Sequence, residues 1–129
     1  MAFDWGEFLK LASDLVTKTD SADPSPARYR SAISRAYYSA FHRAVSYVRN
    51  VKGDDVPSDG RAHDEIWRNL RDSNRKEERA AGEKGYRLKL QRRQADYDGV
   101  DPQFHPQEAR TAIDHATRIR AMLDNLSGK

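Results

Sequence analysis

The sequence predicts an all-α fold, an up-and-down bundle of four to five helices, on three observations. Apolar residues recur at intervals of about 3.6 residues along most of the chain, which is the spacing of a helix with one buried face. No segment shows the alternating pattern of a half-buried strand. Clusters of proline, glycine and small polar residues separate the periodic segments. With 129 residues the chain has the length of one domain, and we expect residues 1–129 to form a single unit.

The first two predicted helices span residues 3–17 and 26–51. The connector between them contains Pro24 and several small polar residues, a composition typical of turns. Pro26 suits the first turn of a helix, because a backbone N–H is not needed there. The core-facing residues are Trp5, Phe8, Leu9, Ala12, Leu15 and Val16 in the first helix, and Ile33, Tyr37, Ala40, Ala44, Tyr47, Val48 and Val51 in the second.

Three further helices are predicted at residues 61–71, 85–97 and 106–126. Their apolar faces consist of Ile66, Trp67 and Leu70, of Tyr86, Leu90 and Tyr97, and of Ala109, Ala112, Ile113, Ala116, Ile119, Leu123 and Leu126, in that order. Residues 71–85 are dense in charge and nearly free of large apolar side chains. Both an exposed helical extension and a mobile loop stay open for this segment.

The composition excludes several classes of protein. The absence of cysteine excludes disulfides and thiolate metal sites. No His-Glu-x-x-His motif and no Gly-rich phosphate loop occur, so we expect neither a metal nor another cofactor. No apolar run approaches the roughly 20 residues of a membrane helix, and the N-terminus does not resemble a secretory signal. We therefore expect a cytoplasmic protein that does not associate with a membrane.

Basic residues are segregated along the chain, although the net charge is only +3. Residues 26–52 and 84–95 contain no Asp or Glu but a series of Arg and Lys. Segregated positive charge attracts phosphate backbones, which makes a nucleic acid a candidate partner. The alternative interpretation is a solvated basic face.

Arg35 and His42 are the candidates for chemistry on a phosphate. Their spacing puts both on one helix face about 10 Å apart, with Tyr38 near the same line. This face points away from the stripe of Ile33 and Tyr37, so we expect the pair to face solvent, a groove or a partner subunit.

The chemistry open to this pair is cleavage of RNA without a metal. A histidine can move protons while the 2′-hydroxyl attacks the adjacent phosphate. An arginine can stabilise the charge that develops there. A two-fold dimer would bring a second His42 into one cleft and complete an acid–base pair. In the alternative interpretation, His42 is a surface histidine and Arg35 pairs with an acid.

A second cluster lies at the end of the fourth predicted helix. Asp96 follows Arg92 and Arg93 at the two spacings that form ion pairs on a helix. Arg93 is expected to share a face with Leu90 and Tyr97, and a charged group on an apolar face must be paired or used. Two interpretations stay open, an Arg93–Asp96 clamp that fixes helix packing and a contact with a phosphate or base.

The segment from Ser34 to His42, Ser-Arg-Ala-Tyr-Tyr-Ser-Ala-Phe-His, closely resembles the helix motif of small bacterial and archaeal HEPN proteins. In that group a His opens the next helix, here His63, and an Arg-x-x-Ala-Asp-Tyr-like segment follows, here residues 93–97. The order and spacing match over about residues 5–126. The resemblance implies a bundle of four or five helices that forms a two-fold dimer and is linked to RNA.

The resemblance also implies a function, for which two hypotheses stay open beside a third, a structural helical oligomer with no role on nucleic acid. In the first, the protein is a metal-independent endoribonuclease of the toxin or defence type that acts as a dimer. Active members carry an Arg, four to six residues, then a His. Arg35 and His42 meet that pattern, with Arg35 at the scissile phosphate and His42 moving protons. The residues expected to bind RNA or to support the site are Tyr38, Arg43, Arg92, Arg93, Asp96 and Tyr97.

In the second hypothesis the domain is non-catalytic. It would bind RNA, a nucleotide or a partner such as a nucleotidyltransferase-like antitoxin. The reason is a departure from the toxin-like members, whose catalytic helix commonly ends in His-x-Tyr. The segment here that resembles it ends in Ala95-Asp96-Tyr97 and has no histidine.

Overall fold

The structure, a computed structural model, describes residues 4–17, 26–97 and 106–128, and these ranges contain five α-helices and no strand. The helices are α1 (Gly6–Thr17), α2 (Pro26–Asn50), α3 (Ala62–Arg71), α4 (Lys76–Tyr97) and α5 (Pro106–Leu126). The predicted all-α bundle is therefore confirmed. None of the helices in these ranges combines the length and the hydropathy that crossing a membrane requires.

Helix α2 forms the centre of the bundle and contacts all four other helices. Its predicted stripe is buried from Ile33 to Val48, with Tyr37 fully covered. The prediction is wrong for Val51, which is 47% exposed because it follows the last residue of α2. Ala32 and Ala36, which lie outside that stripe, are also fully covered. A helix that packs against neighbours on several sides has no fully exposed face over its middle turns. The expectation that the face of Arg35 points away from its own core is therefore wrong in part, because α1 packs there.

The segment that the sequence left open is helical and packed from Lys76 onward. Glu78, in the first turn of α4, is buried and accepts hydrogen bonds from the hydroxyls of Tyr47 and Ser73. The ammonium of Lys52 lies 3.4 Å from the same carboxylate. Burial alone would raise the pKa of Glu78, but these hydrogen bonds and the charge of Lys52 hold it below its ordinary value. A buried carboxylate with partners on α2 thus anchors the start of α4.

The buried face of α4 differs from the predicted one. Leu88 is fully buried whereas Leu90, placed in the core by the sequence, is 41% exposed. Arg93 is exposed, and Arg92 is buried in its place. The true stripe runs through positions 81, 85, 88, 92 and 95, which have helical spacing but include only one large apolar side chain.

Glycine explains why α4 turns this face inward. A Cβ atom at Gly85 would lie 2.2 Å from carbon atoms of the Trp67 ring on α3. A Cβ atom at Gly82 would lie 2.6 Å from the backbone nitrogen of Arg71. The two helices can approach this closely only because these positions have no side chain. The approach covers Trp67, which is fully buried.

Candidate functional site

A cavity of about 520 Å³ lies between α2, the loop that follows it and the start of α3. Two of the four histidines of the chain, His42 and His63, line it. The other lining residues are Tyr38, Phe41, Val45 and Arg49 from α2, Val56, Pro57, Ser58, Asp59 and Gly60 from the loop, and Ala62 from α3. Most of the wall is apolar or aromatic, so the two imidazoles are the principal groups that can exchange protons near neutral pH.

The two imidazoles pack against the same aromatic rings. The ring centre of Phe41 lies 5.1 Å from that of His42 and 4.1 Å from that of His63. The ring centre of Tyr38 lies 6.2 Å and 6.0 Å from the same two imidazoles. The two imidazoles therefore share Phe41 and Tyr38 as neighbours, and both belong to one cluster of rings. Both side chains are half-buried.

A hydrogen-bonded chain positions His63. The indole Nε1 of Trp67 donates to the hydroxyl oxygen of Tyr37 at 3.1 Å, and this hydroxyl lies 2.8 Å from Nδ1 of His63. Burial raises the pKa of the Tyr37 hydroxyl, which keeps it protonated. Since Nδ1 of His63 is engaged with Tyr37, Nε2 is the ring nitrogen that remains for a ligand. The contact of Trp67 with Gly85 thus connects the packing of α4 to the orientation of His63.

Trp5, which directly precedes α1, covers one face of the His42 ring. The rings of Trp5 and His42 stack with their centres 3.5 Å apart and their planes at 14°. Trp5 also meets Phe8 edge to face at 5.1 Å, and the guanidinium of Arg35 lies 5.7 Å from the centre of the Phe8 ring. Both predicted catalytic side chains therefore lie beside α1, whereas of the two only His42 is among the residues that line the cavity. The Nε of Arg35 donates to Ser31 on its own helix at 3.2 Å.

The surroundings of the two histidines favour their neutral forms. Burial lowers the pKa of His42, and the charge of a protonated His63 lowers it further. Burial lowers the pKa of His63, as do the nearby cations Arg92 and Lys89, while Asp64 acts in the opposite direction. His63 therefore has the more positive surroundings, and the fold disfavours protonation of both rings at once.

Arg92 supplies the buried positive charge beside this site. Its guanidinium lies 5.3 Å from the ring centre of Tyr37 and 5.4 Å from that of Tyr38, a cation–π arrangement. Counted back from Ala95, the arginine of the Arg-x-x-Ala-Asp-Tyr motif is Arg92 rather than Arg93. The predicted position of Arg93 on an apolar face is wrong, since its side chain is exposed.

The remaining predicted residues lie elsewhere. Arg43 points to α5, where its Nε lies 2.7 Å from Asp124 and its Nη2 donates to Ser127 at 3.0 Å. This clamp joins α2 to α5 and is not part of the cavity wall. The side chains of Asp96 and Tyr97 lie outside what the structure describes, and so does the predicted Arg93–Asp96 clamp.

The sequence reasoning assigned no role to His63, Phe41 or Arg49. The histidine that opens α3 was part of the recognised motif, and that position was the available signal. Its approach to His42 depends on how the loop at residues 51–61 turns back over α2, which spacing along one helix cannot reveal. Within the described ranges, no group of three His, Cys, Asp or Glu side chains is arranged to hold a metal ion.

Comparison with protein families identifies the class of the chain. The model of the HEPN domain matches residues 7–126. The match covers nearly the whole bundle, including both histidines of the cavity and the motif at the end of α4. The chain belongs to the HEPN domain family. No curated protein and no solved structure matches it.

Proposed function

We propose that this protein is an RNA-directed HEPN protein and a metal-independent endoribonuclease, in which His42 and His63 of one protomer form the acid–base pair. One observation carries the proposal: two half-buried imidazoles line one cavity and contact the same two aromatic rings, Tyr38 and Phe41. Cleavage of RNA through its own 2′-hydroxyl needs one group that accepts a proton and one that donates a proton, and no metal. Within this proposal, a single chain supplies both groups.

The charges near each ring support a division of the two roles. The charges of Arg92 and Lys89 act on His63, so within this proposal it is the neutral base. Its Nδ1–H donates to the Tyr37 oxygen, and its free Nε2 removes the proton of the 2′-hydroxyl. Burial and His63 lower the pKa of His42, but no arginine or lysine contributes to that shift, so within this proposal His42 is the ring that takes up a proton and gives it to the departing 5′-oxygen. The bond from the 2′-oxygen to phosphorus forms as the bond to the 5′-oxygen breaks. The products are a 2′,3′-cyclic phosphate and a 5′-hydroxyl, and the two histidines exchange protonation states.

Cations around the cavity complement the phosphate. Arg49 lines the wall and Arg92 lies behind Tyr38, so both raise the positive potential where charge develops in the transition state. Arg35 lies beside α1, and within this proposal it binds the RNA backbone that extends beyond the cavity. We further propose that residues 1–129 form one domain, that two copies form a two-fold dimer, and that the protein acts in a toxin or defence system.

The test is RNA cleavage by the purified protein in EDTA. His42→Ala and His63→Ala should each lower the cleavage rate about 10²- to 10⁴-fold, the usual contribution of a general acid or base. His115→Ala is the matched control, because this half-buried histidine is on α5 and does not line the cavity. The proposal fails if wild type leaves a broad panel of RNAs uncut, or if His63→Ala cuts as fast as wild type.

A non-catalytic binding domain is the second candidate, and the Trp5–His42 stack favours it. An imidazole stacked at 3.5 Å against an indole is held by packing, which is what a structural histidine would show. In that case the cavity binds RNA or a nucleotide, or the domain binds a partner such as a nucleotidyltransferase-like antitoxin. Binding of RNA that weakens steeply with salt, without any cut product in EDTA, would distinguish this candidate from the nuclease.

A further inference from the structure

A second groove lies between α4 and α5 and shares no residue with the histidine cavity. It has a volume of about 570 Å³ and an apolar floor formed by Ala80, Ala121 and Met122. Through Met122 the groove continues into a smaller cavity of about 250 Å³ that reaches Leu126 and Arg75. The groove and the smaller cavity together extend along α4 from Arg75, which directly precedes the helix, to residue 87. This length is about 18 Å at the rise of an α-helix.

The rim of this groove is positively charged. Lys84 and Arg87 on α4 form no ion pair or hydrogen bond with other side chains in the described parts of the chain. Arg118 on α5 pairs with Asp114 at 3.0 Å, but both groups are more than half exposed, so water competes for this pair. Two acidic residues line the combined groove on the α4 side. Glu83 is engaged by Arg71 at 2.9 Å, and Glu77 lies in the smaller cavity, about two helical turns from Lys84.

The same cations act together on a neighbouring histidine. Burial lowers the pKa of His115, and the charges of Lys84, Arg118 and Arg87 lower it further. Its Nδ1 atom is buried and has no hydrogen-bond partner in the part of the chain that the structure describes. Lys84, Arg87 and Arg118 therefore place three positive charges along one short stretch of the groove, and fewer anions lie there. Such an excess of positive charge attracts a negatively charged ligand.

We propose that this groove docks an acidic amphipathic helix of a partner protein. A helix of about three turns fits the length of the groove. Its apolar residues, spaced three and four apart, would cover Met122 and the two alanines, and its acids would pair with Lys84 and Arg87. Because the side chains of Ala80 and Ala121 are small, the groove has room for an apolar side chain of the bound helix.

Other occupants match the groove less well. An RNA backbone would satisfy the cations but leave the apolar floor exposed, and no aromatic ring among the lining residues can stack on a base. A second copy of this chain offers no free acidic helix among its described ranges, because each helix packs its apolar face into its own bundle. An acidic helix from a different protein satisfies both features, and this inference is independent of the proposed catalysis.

Two displayed libraries of 14-residue helices test this proposal against the full chain. Both have the same apolar stripe, one with Asp and Glu on the polar face and the other with Lys and Arg. Clones from the acidic library should bind wild type and lose at least tenfold in affinity against the double variant Lys84→Glu/Arg87→Glu. Arg110→Glu on α5, an exposed residue outside the groove, should leave binding unchanged.

A second variant separates a blocked groove from a damaged fold. Ala80 is exposed, so Ala80→Trp should fill the groove, leave the helical circular dichroism unchanged and abolish binding of the same clones. The proposal is overturned if no acidic clone depends on Lys84 and Arg87, or if the basic library binds equally well there. It is also overturned if the charge-reversed double variant weakens binding of a single-stranded RNA more than of the helices, or changes the oligomeric state in ultracentrifugation.

Discussion

Two opposing effects determine how substitution of Gly85 by alanine changes the free energy of unfolding. Alanine is favoured over glycine inside a helix by about 1 kcal/mol. The added Cβ would lie 2.2 Å from ring carbons of Trp67, which is fully buried and donates a hydrogen bond to Tyr37. Overpacking a core costs about 1–3 kcal/mol, and so short a contact belongs at the upper end. We therefore expect Gly85→Ala to lower the free energy of unfolding by about 2 kcal/mol.

Urea unfolding followed by circular dichroism measures this loss. Gly60→Ala is the control, because a Cβ at this loop position meets no atom within 4 Å. We expect that variant to match wild type or to gain a few tenths of a kcal/mol, since alanine restricts the unfolded chain (about 0.4–1 kcal/mol at most). If Gly85→Ala were as stable as wild type or more stable, the close packing of α4 on Trp67 would be refuted.

Three further predictions concern the buried acid and the histidine cavity. The fold lowers the pKa of Glu78, so the stability contributed by its charge is present above its ordinary pKa and lost as acid protonates it. Glu78→Gln should therefore cost about 1–3 kcal/mol at pH 7 and distinctly less at pH 3, well below the ordinary carboxyl pKa, in urea unfolding; an equal cost at both pH values would contradict this. Burial and the charge of His63 lower the pKa of His42, so His63→Gln should raise the NMR titration midpoint of His42 toward 6.5. An unchanged midpoint would mean that the two rings do not interact. Trp5→Ala removes the stacked ring, reduces the burial of His42 and should raise the same midpoint, whereas a midpoint that stays or falls would argue against the stack.

The helices rich in large apolar residues were predictable from their spacing alone. The predicted limits of residues 26–51 and 106–126 nearly coincide with α2 and α5. The first half of α4 was not predictable in this way, because its buried positions hold Glu78 and small residues rather than large apolar ones. Their burial depends on partners from α2 and α3, and a pattern within one segment contains no information about those partners.

The sequence predicted part of the candidate site, but not which residues of different helices meet there. The helical position of His42 predicted that it would face solvent, a groove or a partner subunit, and the structure places it in the wall of a cavity. Arg35 lies beside Phe8 because of where α1 crosses α2. Arg92 rather than Arg93 turns inward because of the close packing at Gly85. Both features are properties of helix packing. The spacing of large apolar residues predicts the wrong buried face of α4, because the residues buried there are mostly small.

The central claim is that His42 and His63 act as one acid–base pair within a protomer. The most direct measurement is the single-turnover rate of RNA cleavage in EDTA for the two single alanine variants and for the double variant. Groups that act as a unit are not additive, so the account predicts that the double variant is no slower than the slower single variant. Rate losses that multiply in the double variant, or a wild-type rate for His63→Ala, would contradict it.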